Sequence, residues 1–207
     1  MKKLCTIILI CLPGLVCLPG YSQTRVADSL RHHIETAATD KEKLPALIEL
    51  SQLILNADTS LPYVIMAEHI AAKTNERFDL DRVAYAKAFY YVRKNYVDSA
   101  LHIVDLLIPY YENTNNRQKF YLDILFLKAK ILDRGNRYSQ SLIQLYKVLE
   151  TAEVQRDTLI QIQAKTGIGW VQMEMEQYPE ALNWLYRASG YCSISICTQP
   201  IPVLACI

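Results

Sequence analysis

Residues 167–188 read GIGWVQMEMEQYPEALNWLYRA and contain two amphipathic runs joined by a short turn. In the second run, Ala181 and Ala188 lie seven residues apart, so they fall on one face of a helix. Small side chains on such a face let two neighbouring helices cross closely. Tyr178 stands at the turn between the runs. The stretch therefore predicts a pair of antiparallel helices in tight contact.

The same pattern recurs towards the N-terminus. Tyr138 and Ser141 repeat the aromatic-to-small spacing of the first stretch, and Tyr96 precedes Ala100 with one extra residue at the turn. The small residues that begin each second helix, called anchor residues below, lie 40, 41 and 40 residues apart and are Ser60, Ala100, Ser141 and Ala181. Three nearly equal intervals indicate internal repeats.

This repeat resembles the tetratricopeptide repeat (TPR), in which a Leu-Gly pair on helix A precedes an aromatic residue at the turn and small residues on helix B. Ile168-Gly169 stands at the Leu-Gly position of the first stretch. The resemblance covers about residues 40–190. It implies an all-α fold, a right-handed α-solenoid of antiparallel helix pairs, with longer units than the usual length of about 34 residues. An irregular helical bundle is the alternative.

Hydrophobic periodicity and capping residues divide the chain into a leading helix and four A/B pairs. Asp40 and Asp58 are placed to cap the first pair. The predicted helices are 24–38, then 41–56 with 59–74, 79–95 with 98–112, 117–134 with 138–154, and 158–176 with 179–190. The predicted domains are a signal peptide over 1–22, an N-terminal helix over 23–39, the repeat array over 40–190 and an irregular tail over 191–207.

Residues 1–22 are typical of a secretory signal. Two lysines are followed by an apolar stretch over 4–18, and small residues near position 22 predict cleavage before Gln23. The alternative is a membrane anchor, for which the stretch is short and interrupted by Pro and Gly. We expect an exported, periplasmic chain with no stable membrane span after cleavage. If the segment is not cleaved, the chain lies on the outer face of the inner membrane.

Charge and cysteine content narrow the class of protein. The 22 Lys and Arg residues nearly balance the 21 Asp and Glu residues, so nothing favours nucleic acid as a partner. All six cysteines lie before residue 23 or after residue 191. An exported body without cysteines must be stabilised by apolar packing rather than by disulfides.

The chain contains no recognisable catalytic, cofactor or metal-binding pattern. His32 and His33 are adjacent, so on a helix they point about 100° apart and cannot chelate together. Gly167-Ile168-Gly169 is too short for a dinucleotide fingerprint and lies in a helix pattern. We therefore expect no cofactor, no metal and no enzymatic activity.

The resemblance also implies a binding surface. In TPR arrays, residues of helix A line the inner groove. Transferring this frame to the second, third and fourth units gives a candidate groove of Ala88, Tyr91, Phe126, Lys130, Arg134, Trp170, Met173 and Glu174. Such a mixture of aromatic, apolar and charged side chains suits an extended or helical peptide.

The tail differs from the rest of the chain. Residues 188–207 contain no charged side chain. Within them, Ser193-Ile194-Ser195-Ile196 alternates polar and apolar residues as a strand does, and two prolines follow. The spacing of Cys192, Cys197 and Cys206 lacks the short pairs of a zinc site. A shifted reading frame or a truncated gene is the first hypothesis for this tail, and a cell-surface or assembly tail is the second.

Within the TPR class, the chain resembles most the exported arrays that form sensor portions of Bacteroidetes-type signalling proteins. This resemblance implies a scaffold that binds a protein or peptide, here the truncated sensor portion of a signalling protein. The alternative is a free-standing periplasmic assembly or chaperone-like adaptor.

Overall fold

The computed structural model describes residues 19–114 and 117–195, and it describes side chains over 24–114 and 117–190. In these ranges the chain forms helices and no strand. The helices are α1 Pro19–Thr36, α2 Asp40–Leu53, α3 Ala57–Thr74, α4 Arg77–Arg93, α5 Val97–Glu112, α6 Gln118–Arg134, α7 Tyr138–Val154, α8 Thr158–Glu174 and α9 Tyr178–Ser195. The predicted all-α fold and its four helix pairs are confirmed.

The helices form a linear array rather than a closed bundle. After α1, unit 1 is α2/α3, unit 2 is α4/α5, unit 3 is α6/α7 and unit 4 is α8/α9, and the first helix of each unit is its A helix. Each helix packs against its neighbours in sequence, and α4 also contacts α2 and α6, while α6 contacts α8. Because the A helices approach one another more closely than the B helices do, they lie on the inner side of the array.

The anchor residues explain how the two helices of a unit come close together. Ser60, Ala100, Ser141 and Ala181 are all buried. The Ser141 hydroxyl donates a hydrogen bond to the carbonyl oxygen of Ala129 at 2.9 Å, which joins α7 to α6. The residues seven positions after the anchors are also buried and are Ala67, Leu107, Val148 and Ala188.

The A–B turns of units 2, 3 and 4 share one geometry. Asn95, Asn136 and Glu176 each adopt a positive φ, between 55° and 60°. Two residues later α5 begins at Val97, whereas α7 and α9 begin at a tyrosine. The expectation of an extra residue in the turn of unit 2 is therefore wrong, because Tyr96 precedes the helix and Val97 occupies the place of the aromatic residue.

The helix starts of unit 1 also differ slightly from expectation. Thr39 caps α2 by accepting a hydrogen bond from the amide of Glu42, and Asn56 caps α3 in the same way. Asp40 and Asp58 lie in the first turns instead. Their negative charge there still stabilises the helix, because it lies near the positive, N-terminal end of the helix dipole.

The core has two parts that meet at α4. One cluster joins α2, α3 and α4 through residues such as Leu47 and Val83. The other extends from α4 to α8 and includes Tyr111, Leu125 and Ile168. The described part of the array therefore has no single continuous core. This is expected when each unit packs only on its neighbours.

The two ends of the chain only partly match the predicted boundaries. The predicted cleavage site before Gln23 falls within α1. Helix α9 continues to Ser195 rather than ending at residue 190, because no proline removes a backbone donor before Pro200. Residues 1–18 and 196–207, with Cys197 and Cys206, lie outside the described residues. Among the described helices, none is long and apolar enough to cross a bilayer.

Candidate functional site

The exposed face of the A helices carries most of the predicted groove residues. On α6, Phe126, Lys130 and Arg134 are four residues apart and therefore lie on one side of the helix. On α8, the side chains of Trp170 and Met173 are 40% and 39% exposed. Large apolar side chains this exposed, on the inner side of adjoining helices, form a surface that a ligand can reach.

Ala88 does not belong to this surface, because it is 0% exposed. It lies 12 residues before its anchor, where units 3 and 4 have Ala129 and Gly169. This position faces the B helix of the same unit and must be small. The transferred frame is displaced by one residue, because it aligns Tyr96 with the aromatic residues of the later turns. Phe89 is the true counterpart of Lys130 and Trp170.

Tyr91 is also misplaced in the predicted groove. It lies two residues from Phe89, which turns its side chain by about 200° around the helix axis. With Lys87 it lines a different groove, between α3 and α5. The predicted residues of α6 and α8 therefore lie on the exposed side of those helices, whereas on α4 the corresponding side consists of Arg82, Tyr85, Phe89, Val92 and Arg93.

Aromatic rings form a continuous row at the α4 end of the surface. The ring centroids of Tyr85 and Phe89 are 5.2 Å apart, and those of Tyr85 and Phe120 are 5.4 Å apart. Burial raises the pKa of the Tyr85 hydroxyl well above its usual value. The Lys130 ammonium lies 5.3 Å from the ring centroid of Phe126, close enough for a cation–π contact.

Charges of both signs surround these rings. Burial raises the pKa of Asp123 to about 6, with a smaller contribution from Asp157. Burial also raises the pKa of Asp133, and the nearby charge of Glu174 acts in the same direction. The candidate groove included neither aspartate, since the sequence shows them only as scattered acids with no recognisable catalytic partner. Lys130 and Arg134 on the same helix carry positive charges.

Metal-ligating residue types are not gathered on the described part of this surface. Within the described residues, no group of three His, Cys, Asp or Glu side chains is placed to hold a metal ion. His32 and His33 are both exposed on α1. The chemistry available to this surface is to stack rings, bury apolar side chains and pair charges.

No protein-family model and no curated protein matches this chain. Among solved structures it is similar to Bacillus thuringiensis PlcR in complex with the peptide PapR7 and DNA, with a TM-score of 0.67 and 12% identity. That match covers 84% of this chain and 66% of the PlcR chain, so the chain spans less than two thirds of PlcR.

The chain is also similar to the nearly identical TPR-like repeats of a kinesin light chain candidate from Podosopora anserina. Two structures of those repeats give TM-scores of 0.55 and 0.53 at 13% and 14% identity. They cover 83% and 84% of this chain, and 85% and 87% of the respective repeat chains. Identities this low carry the fold alone, and the fold is an all-α solenoid of TPR-like helix pairs.

Proposed function

We propose that this chain is a peptide-binding scaffold without enzymatic activity, and that the A-helix face of units 2 to 4 is its binding surface. The observation that carries the proposal is the exposure of Trp170 and Met173 on α8, which contacts the helix α6 that carries Lys130 and Arg134. Exposed aromatic and apolar side chains with interspersed charges are the usual composition of a site that binds proteins or peptides.

The nature of the surface favours a peptide over other ligands. Its rings and charges are spread over α4, α6 and α8, as an extended or helical segment requires. PlcR, which shares the fold, was crystallised with a peptide. That structure also contains DNA, but the balanced charge of this chain does not favour a nucleic acid partner.

The proposal is tested with a displayed library of random peptides selected on the full chain. We expect enriched peptides to bind the wild type and to lose at least tenfold in affinity when Trp170 and Lys130 are both replaced by alanine. Circular dichroism should show unchanged helicity. The matched control is Ile143→Ala, which removes a side chain that is 71% exposed on α7, outside the proposed surface. Equal binding by the double variant would exclude this surface.

We further propose that the scaffold is exported and forms the sensor portion of a signalling protein. The signal-like residues 1–22 support export, and the resemblance of the repeat to exported sensor arrays supports a signalling role. Mass spectrometry of the chain expressed with its leader should show cleavage before Gln23. A cytoplasmic chain that keeps residues 1–22 would contradict export.

The alternative is a free-standing periplasmic adaptor, and it differs from the sensor in having no effector domain downstream of the array. The genomic DNA through and beyond codon 190 distinguishes the two. A membrane helix with a kinase or DNA-binding domain in another reading frame supports the sensor. A stop codon with no such continuation supports the adaptor.

A further inference from the structure

A second open groove lies on the other side of the array from the A-helix face. It runs between α3 and α5, with α4 as its floor, and has a volume of about 840 Å³. Leu80, Ala84 and Tyr91 form the floor, while Ala72 and Ile103 line the two walls. This volume is within the range of about 300–1,000 Å³ that is usual for ligand sites. The groove does not share its lining with the surface proposed above.

The equivalent gap in unit 3 is closed by the chain itself. Tyr121 occupies the position of Leu80, 20 residues before the anchor, and is only 4% exposed. Its hydroxyl donates a hydrogen bond to Glu112 Oε1 at 3.0 Å. Lys147 Nζ lies 2.9 Å from the same oxygen, so an ion pair joins α5 to α7 above the ring.

The equivalent gap in unit 4 is also bridged by aromatic side chains. The rings of Tyr146 on α7 and Trp184 on α9 meet edge to face with centroids 5.8 Å apart. In unit 2, by contrast, aliphatic Ile65 and Ile103 stand at these positions, and Ile65 is 54% exposed. Within residues 57–112, no ion pair, hydrogen bond or ring contact joins α3 to α5.

Several substitutions relative to unit 3 leave this gap open, and one of them is Ala84 on the floor in place of Leu125. Leu80 replaces the tyrosine, Ala72 replaces the glutamate and Leu106 replaces the lysine. Leu80 on the groove floor is 38% exposed, and Leu106 on α5 is 64% exposed. The groove of unit 2 is therefore mostly apolar and has no aromatic side chain of the chain itself to fill it. In unit 3 the tyrosine ring of Tyr121 fills the equivalent gap.

We propose that the α3–α5 groove binds an aromatic side chain, preferably the phenol of a tyrosine, carried by a segment of a partner protein. The ring would lie over Ala84, in the space that the larger side chains of Tyr121 and Leu125 fill in unit 3, and would bury about 150–250 Å² of its own surface. Polar groups at the rim suit the hydroxyl, since Glu68 beside Lys87 and the exposed His102 border the groove. The scaffold would then hold two segments on opposite sides.

The test uses N-acetyl-tyrosinamide as the probe and the full chain labelled at its methyl groups. We expect saturable NMR shifts at Ile103 and Val83, at least tenfold weaker with N-acetyl-alaninamide. The triple variant Leu80→Tyr/Ala72→Glu/Leu106→Lys reproduces the closure of unit 3 and should weaken probe binding at least tenfold. The Trp170→Ala/Lys130→Ala variant is the matched control and should bind the probe as the wild type does.

Further measurements keep the test decisive. If the triple variant does not fold, Ala84→Leu fills the floor with the residue that unit 3 carries as Leu125, and should block the probe equally. Shifts confined to residues near Trp170, or undiminished binding by the filled variants, would overturn the proposal. Sedimentation of the wild type should show a monomer. A dimer that the triple variant abolishes would assign the groove to a second copy instead.

Discussion

Small residues control how closely the helices of each unit approach. At the position 12 residues before the anchor, units 2 and 3 carry Ala88 and Ala129, whereas unit 4 carries Gly169. A Cβ at Gly169 would lie 2.8 Å from Leu185 Cγ and 3.1 Å from the carbonyl oxygen of Ala181. Because the second contact is with backbone, α9 itself would have to move away from α8.

Gly169→Ala should therefore destabilise the protein. Overpacking costs about 1–3 kcal/mol, which exceeds the gain of about 1 kcal/mol in helix propensity. We expect a net loss of about 1 kcal/mol in chemical denaturation. Gly190→Ala is the control, because a Cβ there meets nothing within 4 Å and the same gain in propensity is unopposed. A Gly169→Ala variant as stable as this control would contradict the close approach.

The carboxyl group of Asp123 should make stability depend on pH. Burial raises its pKa from 3.8 to about 6, so the folded protein binds the proton more tightly than the unfolded chain. The free energy of unfolding should therefore fall as pH rises from about 4 to about 6, and stay level above that as far as this group is concerned.

Asp123→Asn should remove this dependence. We expect the variant to be more stable than the wild type at pH 7, by on the order of 2 kcal/mol, and equally stable near pH 4. Urea denaturation at the two pH values measures the difference, with the exposed Glu150→Gln as the control. A constant offset between Asp123→Asn and the wild type at both pH values would show that protonation is not the cause.

At the scale of the helices, the sequence predicted the elements well and their register less well. Apolar periodicity placed all four pairs, because each helix buries one stripe and turns within a few residues. The predicted register of α4 is wrong by one residue because it aligns Tyr96 with Tyr138 and Tyr178, the first residues of α7 and α9. The positive φ of Asn95 shows that Val97, two residues later, is the true equivalent of these tyrosines. The groove between α3 and α5 could not be predicted from the sequence, since it arises where Leu80 and Ala72 are smaller than their counterparts Tyr121 and Glu112 in unit 3.

Helix α2 depends on the next unit for its C-terminal end. The guanidinium of Arg93 donates hydrogen bonds to the carbonyl oxygens of Ser51, at 2.8 Å, and Gln52. These carbonyls belong to the last turn of α2, whose carbonyls have no partners within the helix. Burial lowers the pKa of Arg93, which reflects the removal of water around these bonds.

Arg93→Ala should destabilise the protein by about 1–3 kcal/mol. The substitution removes the charged donor and leaves the carbonyl oxygens of Ser51 and Gln52 without this hydrogen-bond partner. Hydrogen exchange should show the greatest loss of protection at the end of α2. Arg134→Ala at the equivalent, exposed position of unit 3 should stay within about 0.5 kcal/mol of the wild type. Equal effects of both variants would contradict a specific role for Arg93.

At the scale of the whole molecule, the two-part core means that stability is local. Units 1 and 2 share one cluster, and units 2 to 4 share the other. In such an array, the stability of each unit depends on its own packing and on its two neighbours. Opening of one end therefore need not open the other.

Leu47→Ala and Ile168→Ala should reduce protection from hydrogen exchange in different parts of the array. Both side chains are 0% exposed, and each loss creates a cavity that costs about 2–5 kcal/mol. We expect Leu47→Ala to reduce protection from α2 to α4 while α8 stays unchanged, and Ile168→Ala to do the reverse. Uniform loss of protection along the chain in either variant would show a single cooperative core instead.

The linear order of contacts also has a mechanical consequence. Each helix touches only its near neighbours, so a pull on the two ends is transmitted through the junctions in series, as in a spring. Each junction then yields slightly, and the distance between Phe89 and Trp170 increases with the load. A peptide bound across α4, α6 and α8, as proposed above, would therefore lose contacts as the array lengthens.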